Sequence, residues 1–187
     1  MKTLKALTPE QVDESTQEVF SAIKQKVGML PNLYAAMGNS PQLLKGFLAF
    51  EDTLKKGVFS AKENEAIALA ASQSNGCNYC LAAHSTMGKM FGYTENEMID
   101  IRKGTVVDNK LNALTTLARE LTEKKGKASQ NSIDQFLSVG YTHQAFAELI
   151  GMVAIRNLTN YIFSNGEFEI DFPKAASLNE QEKLAAA

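Results

Sequence analysis

At 187 residues, with 44% hydrophobic and 21% charged side chains, the chain has the balance of a globular domain and enough length to bury one core. A net charge of −2 with no basic run argues against a nucleic-acid-binding surface, and no apolar stretch is long enough to span a membrane. The N-terminal MKTLKALTPEQ has no apolar leader core, which makes the reducing cytoplasm the expected compartment.

Helical periodicity then runs along nearly the whole chain. Thr8-Pro9 with Gln11 reads as a capping box opening a first helix, whose Val12, Thr16, Val19, Phe20, Ile23 and Val27 share one face. Ser40-Pro41 opens another, with Leu43, Leu44, Phe47, Leu48 and Leu54 directed inward. Ser60 with Glu63 is a second capping box, and the alanine-rich AKENEAIALAASQS predicts a helix as far as Asn75-Gly76. The next helix starts near Cys77 and runs to about Gly92. Thr94 with Glu97 caps a further one, and Asp108 caps a stripe of Leu111, Leu114, Leu117, Ala118 and Leu121. Gly140 stops a short helix, and Thr142 begins a long one through Phe146, Leu149, Ile150, Val153, Leu158 and Ile162.

Only Phe168, Ile170 and Phe172 alternate. A lone strand has no ladder partner, so residues 166–182 are expected to form an extended arm across their own or a neighbouring subunit. Residues 1–182 read as one all-α domain, and 183–187 as an expression-vector scar. No glycine pattern for a nucleotide is present, so no bound nicotinamide or flavin cofactor is expected.

Chemistry concentrates at one place. The only two cysteines, Cys77 and Cys80, are followed by His84 and preceded by Glu65, in the pattern E-x11-C-x2-C-x3-H. Positions i, i+3 and i+7 share a helix face, which groups Cys77, Cys80 and His84. Folding the two helices back about Gly76 sets Glu65 roughly opposite Met87, less than a turn from His84, and Ser72 near the level of Cys80. Cysteines three apart on a helix have Cα atoms about 5 Å apart, within the span of a disulfide.

Blander readings compete with a redox role. As a structural brace, so short a loop constrains the unfolded chain by only about 2 kcal/mol. Zinc held by Cys77, Cys80, His84 and the distant His143 has the right ligand types, but the spacing differs from common zinc modules. His143, at the start of a late helix, reads as a surface or interface residue. A thioredoxin-like site needs a βαβ context, and both flanks here read as helix.

The Glu, both Cys and the His, together with the upstream LPNLYAAMGNSPQLLKGFLAF, resemble the AhpD-like and carboxymuconolactone decarboxylase family in its peroxidase-related branch, over roughly residues 10 to 165. The resemblance implies an AhpD-like helical fold and a homo-oligomer of three or six subunits. It also implies a peroxidase for hydrogen peroxide or alkyl hydroperoxides, reduced by an external dithiol or thiol protein. By the same resemblance Cys80 attacks, Cys77 resolves, and Glu65 with His84 carry protons. Tyr79 stands where the best-known bacterial members have a histidine. Alternatives on the same resemblance are a lactone-decarboxylating enzyme and a general dithiol oxidoreductase or redox-regulated binding protein.

Overall fold

The alanine-rich segment behind Ser60 becomes the central helix of the molecule. In the computed structural model, which describes residues 3–178, it forms α4 (Ala61–Ser74), and every residue from Asn64 to Ser72 is buried. Small side chains let neighbours approach from all sides, which is why a helix with no strong amphipathic stripe can lie in the middle. Around it pack α5 (Asn78–Met90), α6 (Glu95–Lys103), α7 (Asn109–Glu123) and α9 (His143–Ser164), with α8 (Gln130–Ser138) against α7. Leu114, Leu117 and Leu121 of α7 meet Ile67 and Leu69 of α4 and Leu149 and Met152 of α9 in one core.

A second core sits around the start of α5. It gathers Phe20 and Ile23 of α1 (Glu14–Val27), Leu33 and Met37 of α2 (Asn32–Met37), and Leu44 and Phe47 of α3 (Pro41–Leu54) about Cys77, Tyr79 and Cys80. The boundaries at Ser60, Thr94, Asp108 and Thr142 fall where the capping residues place them. At the N-terminus the outcome differs. Thr8 and Gln11 do form a capping box, but it closes only a single 3-10 turn, Pro9–Gln11. The helix itself starts after Asp13, whose carboxylate accepts the Thr16 N–H at 2.8 Å. Two expected core positions are also largely exposed, Val27 and Ile150.

Helix α2 has no signal of its own, because Pro31 at its N-cap offers no side-chain acceptor. Its orphan N–H groups are satisfied from elsewhere. Asp171 Oδ2 accepts the Asn32 N–H at 2.6 Å, and the Tyr79 hydroxyl accepts the Leu33 N–H at 3.2 Å.

The described part of the arm, residues 166–178, lies across its own subunit as a strap, and 179–182 lie outside the described residues. Leu4 and Gly166 form an isolated parallel bridge, with Glu167 N–H donating to Leu4 O at 2.8 Å. Phe168 and Phe172 pack edge-on against the Tyr79 ring, each at 5.7 Å between centroids. Arg102 then ties the strap down through Ala176 O at 2.6 Å. The expected scar at 183–187 lies outside the described residues. No helix among the described residues is long and apolar enough to cross a membrane.

Candidate functional site

Two helices place Cys77 at once. The end of α4 closes as a Schellman turn: Gly76 takes φ 63°, its N–H donates to Gln73 O at 3.1 Å, and the Cys77 N–H donates to Ser72 O at 2.9 Å. Cys77 is then the N-cap of α5, and its Sγ accepts the Cys80 N–H at 3.3 Å. The turn is held to α9 by Asn75, whose Nδ2 donates to Asn157 Oδ1 and Asn160 Oδ1, both at 2.7 Å. Cys77 and Cys80 are joined as a disulfide across 5.4 Å between Cα atoms, and both residues are buried. The positive end of α5 bears on Cys77 Sγ, an arrangement that favours a thiolate there once the bond opens.

Glu65 and His84 meet across the hairpin. His84 Nδ1 lies 2.7 Å from Glu65 Oε2, and their side chains are only 15% and 8% exposed. The short contact shielded from water fixes the imidazole ring. With Nδ1 donating to the carboxylate, Nε2 is left to accept or deliver a proton. His84 stands one helical turn beyond Cys80 on the same face. Ser72 is buried, but its hydroxyl accepts from Asn160 Nδ2 at 3.4 Å and makes no hydrogen bond to Cys80.

Tyr79 belongs to the scaffold. Its ring lies among Phe163, Phe168 and Phe172, and its hydroxyl caps α2. Burial, and then the Asp171 carboxylate beside it, push its phenol pKa well above the ordinary value. His143 is exposed at the start of α9. Among the described residues, no three or more His, Cys, Asp or Glu side chains are grouped so as to hold a metal ion.

A buried polar cluster behind the site has no counterpart in the sequence reading. Arg156 Nη2 lies 3.0 Å from Glu51 Oε1, with side chains 5% and 9% exposed. Burial alone would push the Glu51 carboxyl up, but Arg156 and Lys55 hold it below its ordinary value, and His84 acts on it in the same direction. Tyr34 is pushed well up, first by burial and then by Glu51, with Glu65 adding to the effect. The signal was available in the pattern: Glu51 continues the Leu44–Phe47 stripe and Arg156 the Leu149–Val153 stripe.

The carboxymuconolactone decarboxylase family model matches residues 41–123, which include Glu65, Cys77, Cys80 and His84. No curated protein matches significantly in sequence. An uncharacterized peroxidase-related protein from Ralstonia eutropha JMP134, described as an alkylhydroperoxidase AhpD core, superposes with a TM-score of 0.76 at 17% identity, covering 87% of this chain and 90% of that one. A peroxidase-related protein from Silicibacter sp. TM1040 gives 0.73 at 22% identity, covering 94% of each chain. The debrominase Bmp8, in complex with 2,3,4-tribromopyrrole, gives 0.73 at 19% identity, covering 100% of this chain and 99% of that one. At these identities the likeness is one of fold. The family match spans residues 41–123, less than half of the chain, and the fold shared with these structures is the AhpD-like helical one.

Proposed function

We propose that this protein is a cysteine-dependent peroxidase that reduces hydrogen peroxide or alkyl hydroperoxides by cycling Cys77 and Cys80 between dithiol and disulfide. The observation that carries the reading is the largely shielded Glu65–His84 pair one turn beyond a closed Cys77–Cys80 bridge. In the first step the Cys80 thiolate attacks the distal peroxide oxygen, the O–O bond breaks, and a proton through His84 converts the leaving alkoxide to an alcohol. Cys80 becomes a sulfenic acid. The Cys77 thiolate then displaces water from it, and an external dithiol or thiol protein returns both electrons.

Magnitudes assign the main burden to the proton carriers. A thiol with pKa about 8.5 is about 3% thiolate at pH 7, and lowering it by about two units gives roughly 75%. The lost nucleophilicity, about eightfold at a Brønsted slope near 0.45, leaves a net gain of only about threefold. General acid catalysis at the leaving oxygen is worth about 10² to 10⁴-fold. Glu65 orients His84 for that task.

The Bmp8 fold favours a second acceptor for the same electrons. A dithiol can replace a carbon–bromine bond by carbon–hydrogen, releasing bromide and a proton as the disulfide forms. A lactone decarboxylation, by contrast, would consume no thiols. The test is turnover with several dithiol donors, offering hydrogen peroxide, an alkyl hydroperoxide and 2,3,4-tribromopyrrole in parallel. Peroxide turnover abolished by Cys80→Ser supports the proposal. Turnover of tribromopyrrole alone would transfer the role to dehalogenation, and activity unaffected by Cys80→Ser would remove the thiols from the mechanism.

The protein is also proposed to work as a homo-oligomer. Exposed Phe50, Val58 and Ile150 on α3, α9 and the segment between α3 and α4 are consistent with subunit contact.

A further inference from the structure

Arg102 is an unusual arginine. It is only 7% exposed, yet no carboxylate lies within ion-pairing range of it among the described residues. Its Nε donates to Gln73 Oε1 at 2.9 Å and its Nη1 to Ala176 O at 2.6 Å, both neutral acceptors. Nη2 makes no hydrogen bond among the described residues. Buried guanidinium groups are ordinarily matched by an anion, because neutral acceptors offset only part of the lost hydration.

Nη2 has somewhere to point. A cavity of about 200 Å³ lies between α5, α6 and the strap, with Arg102 in its wall. Ser85, itself a buried residue, contributes a hydroxyl that makes no hydrogen bond among the described residues. Lys89 and Lys174 stand at the exposed mouth. Among the described residues one acid, Glu95, opposes these cations, and it is already engaged by Lys89 at 3.3 Å. Met98 and Ile99 make the rest of the wall apolar.

We propose that this cavity binds a small organic acid, its carboxylate held by Arg102, Ser85 and Lys174 and its apolar body against Met98 and Ile99. The planar fork of an arginine matches a carboxylate. At about 30 Å³ per water-sized group, the volume admits roughly seven of them. The apolar wall favours such an acid over inorganic phosphate, which has no apolar part to bury. Ser85 follows His84 directly, about 100° round α5, so the site is separate from the cysteine pair and neighbours it. The ligand would also fasten the strap, because Lys174 and Ala176 both belong to it.

The test is calorimetric titration of the full oxidised chain with butanoate, the neutral isostere butanamide, and inorganic phosphate. Saturable butanoate binding in about the millimolar range is expected for so few atoms, with no detectable butanamide binding. Arg102→Gln should weaken butanoate by tenfold or more, and Ser85→Ala and Lys174→Gln each by severalfold. Arg102 also tethers the strap, so its variant risks unfolding. Lys174 is exposed and Ser85→Ala removes only a hydroxyl, so these two keep the test decisive. Equal binding of butanoate and butanamide, tighter binding of phosphate, no butanoate binding, or unchanged affinity in both Ser85→Ala and Lys174→Gln would each overturn the proposal.

Discussion

Glu65 has the geometry of a positioning group. It sits on the central helix with nearly all of its surface buried, and its carboxylate meets His84 Nδ1 at 2.7 Å. Glu65→Gln keeps the helix, since the two residues have nearly equal propensity, but it replaces a charged acceptor by a neutral one. Single-turnover peroxide consumption by pre-reduced protein should slow by about 10²-fold or more, with the far-ultraviolet circular dichroism unchanged. A rate near that of the wild type across about pH 6 to 8 would remove Glu65 from the proton path. The cysteines are separable at the same scale. Cys77→Ser should complete one turnover and leave a sulfenic acid on Cys80, detectable by dimedone labelling and mass spectrometry. Sulfenate on Cys77 in the Cys80→Ser protein would reverse the two roles, an outcome that the helix-capping position of Cys77 makes worth measuring.

At the scale of elements, α3 and α9 are joined through charge inside an apolar stripe. The Glu51–Arg156 pair is buried, and Arg156 Nε has no hydrogen-bond partner among the described residues. Removing one partner strands the other, so Glu51→Leu should destabilise by about 3–5 kcal/mol, whereas Glu51→Leu with Arg156→Met should return close to wild type. Denaturant unfolding of the three proteins checks this. The pH sign follows from the lowered folded pKa of Glu51. Its stabilising contribution is present above the ordinary value of 4.5 and is lost as pH falls through the lower folded value. The wild type should therefore lose stability relative to the double variant below pH 4.5.

Elements with local signals were legible, and those assembled at a distance were not. The α4–α5 hairpin could be read because Ser60, Glu63 and Gly76 act within one or two turns of themselves, and it carries Glu65, Cys77, Cys80 and His84 together. Helix α2 was missed because its caps, Asp171 and Tyr79, are remote in sequence. The first helix was placed too early because the Thr8 box is satisfied by a single turn, and a better cap, Asp13, lies just beyond it. Glu51 and Arg156 escaped because apolar patterning passes over charged residues on a core stripe, although their spacing is that of the stripe.

Across the whole molecule, the C-terminal strap lies against the hairpin that carries the two cysteines. Tyr79 stands at the junction, packed against Phe168 and Phe172 and capping α2. Tyr79→Phe should preserve the aromatic packing but leave the buried Leu33 N–H without its acceptor, at a cost of about 1–3 kcal/mol in thermal or denaturant unfolding. Because Tyr79 is outside the proposed proton path, single-turnover peroxide consumption should stay near that of the wild type. Loss of turnover with retained stability would return position 79 to the relay.

The account rests on electrons leaving the two thiols for a hydroperoxide, and thiol counting tests this most directly. The reduced protein is mixed with one equivalent of hydrogen peroxide or alkyl hydroperoxide in the absence of any donor, and free thiols and residual peroxide are measured together. The account predicts that one peroxide disappears for each pair of thiols lost, with the Cys77–Cys80 disulfide as the product and dithiothreitol restoring both. Peroxide that persists while both thiols remain free, or that disappears equally in the Cys80→Ser protein, would contradict it.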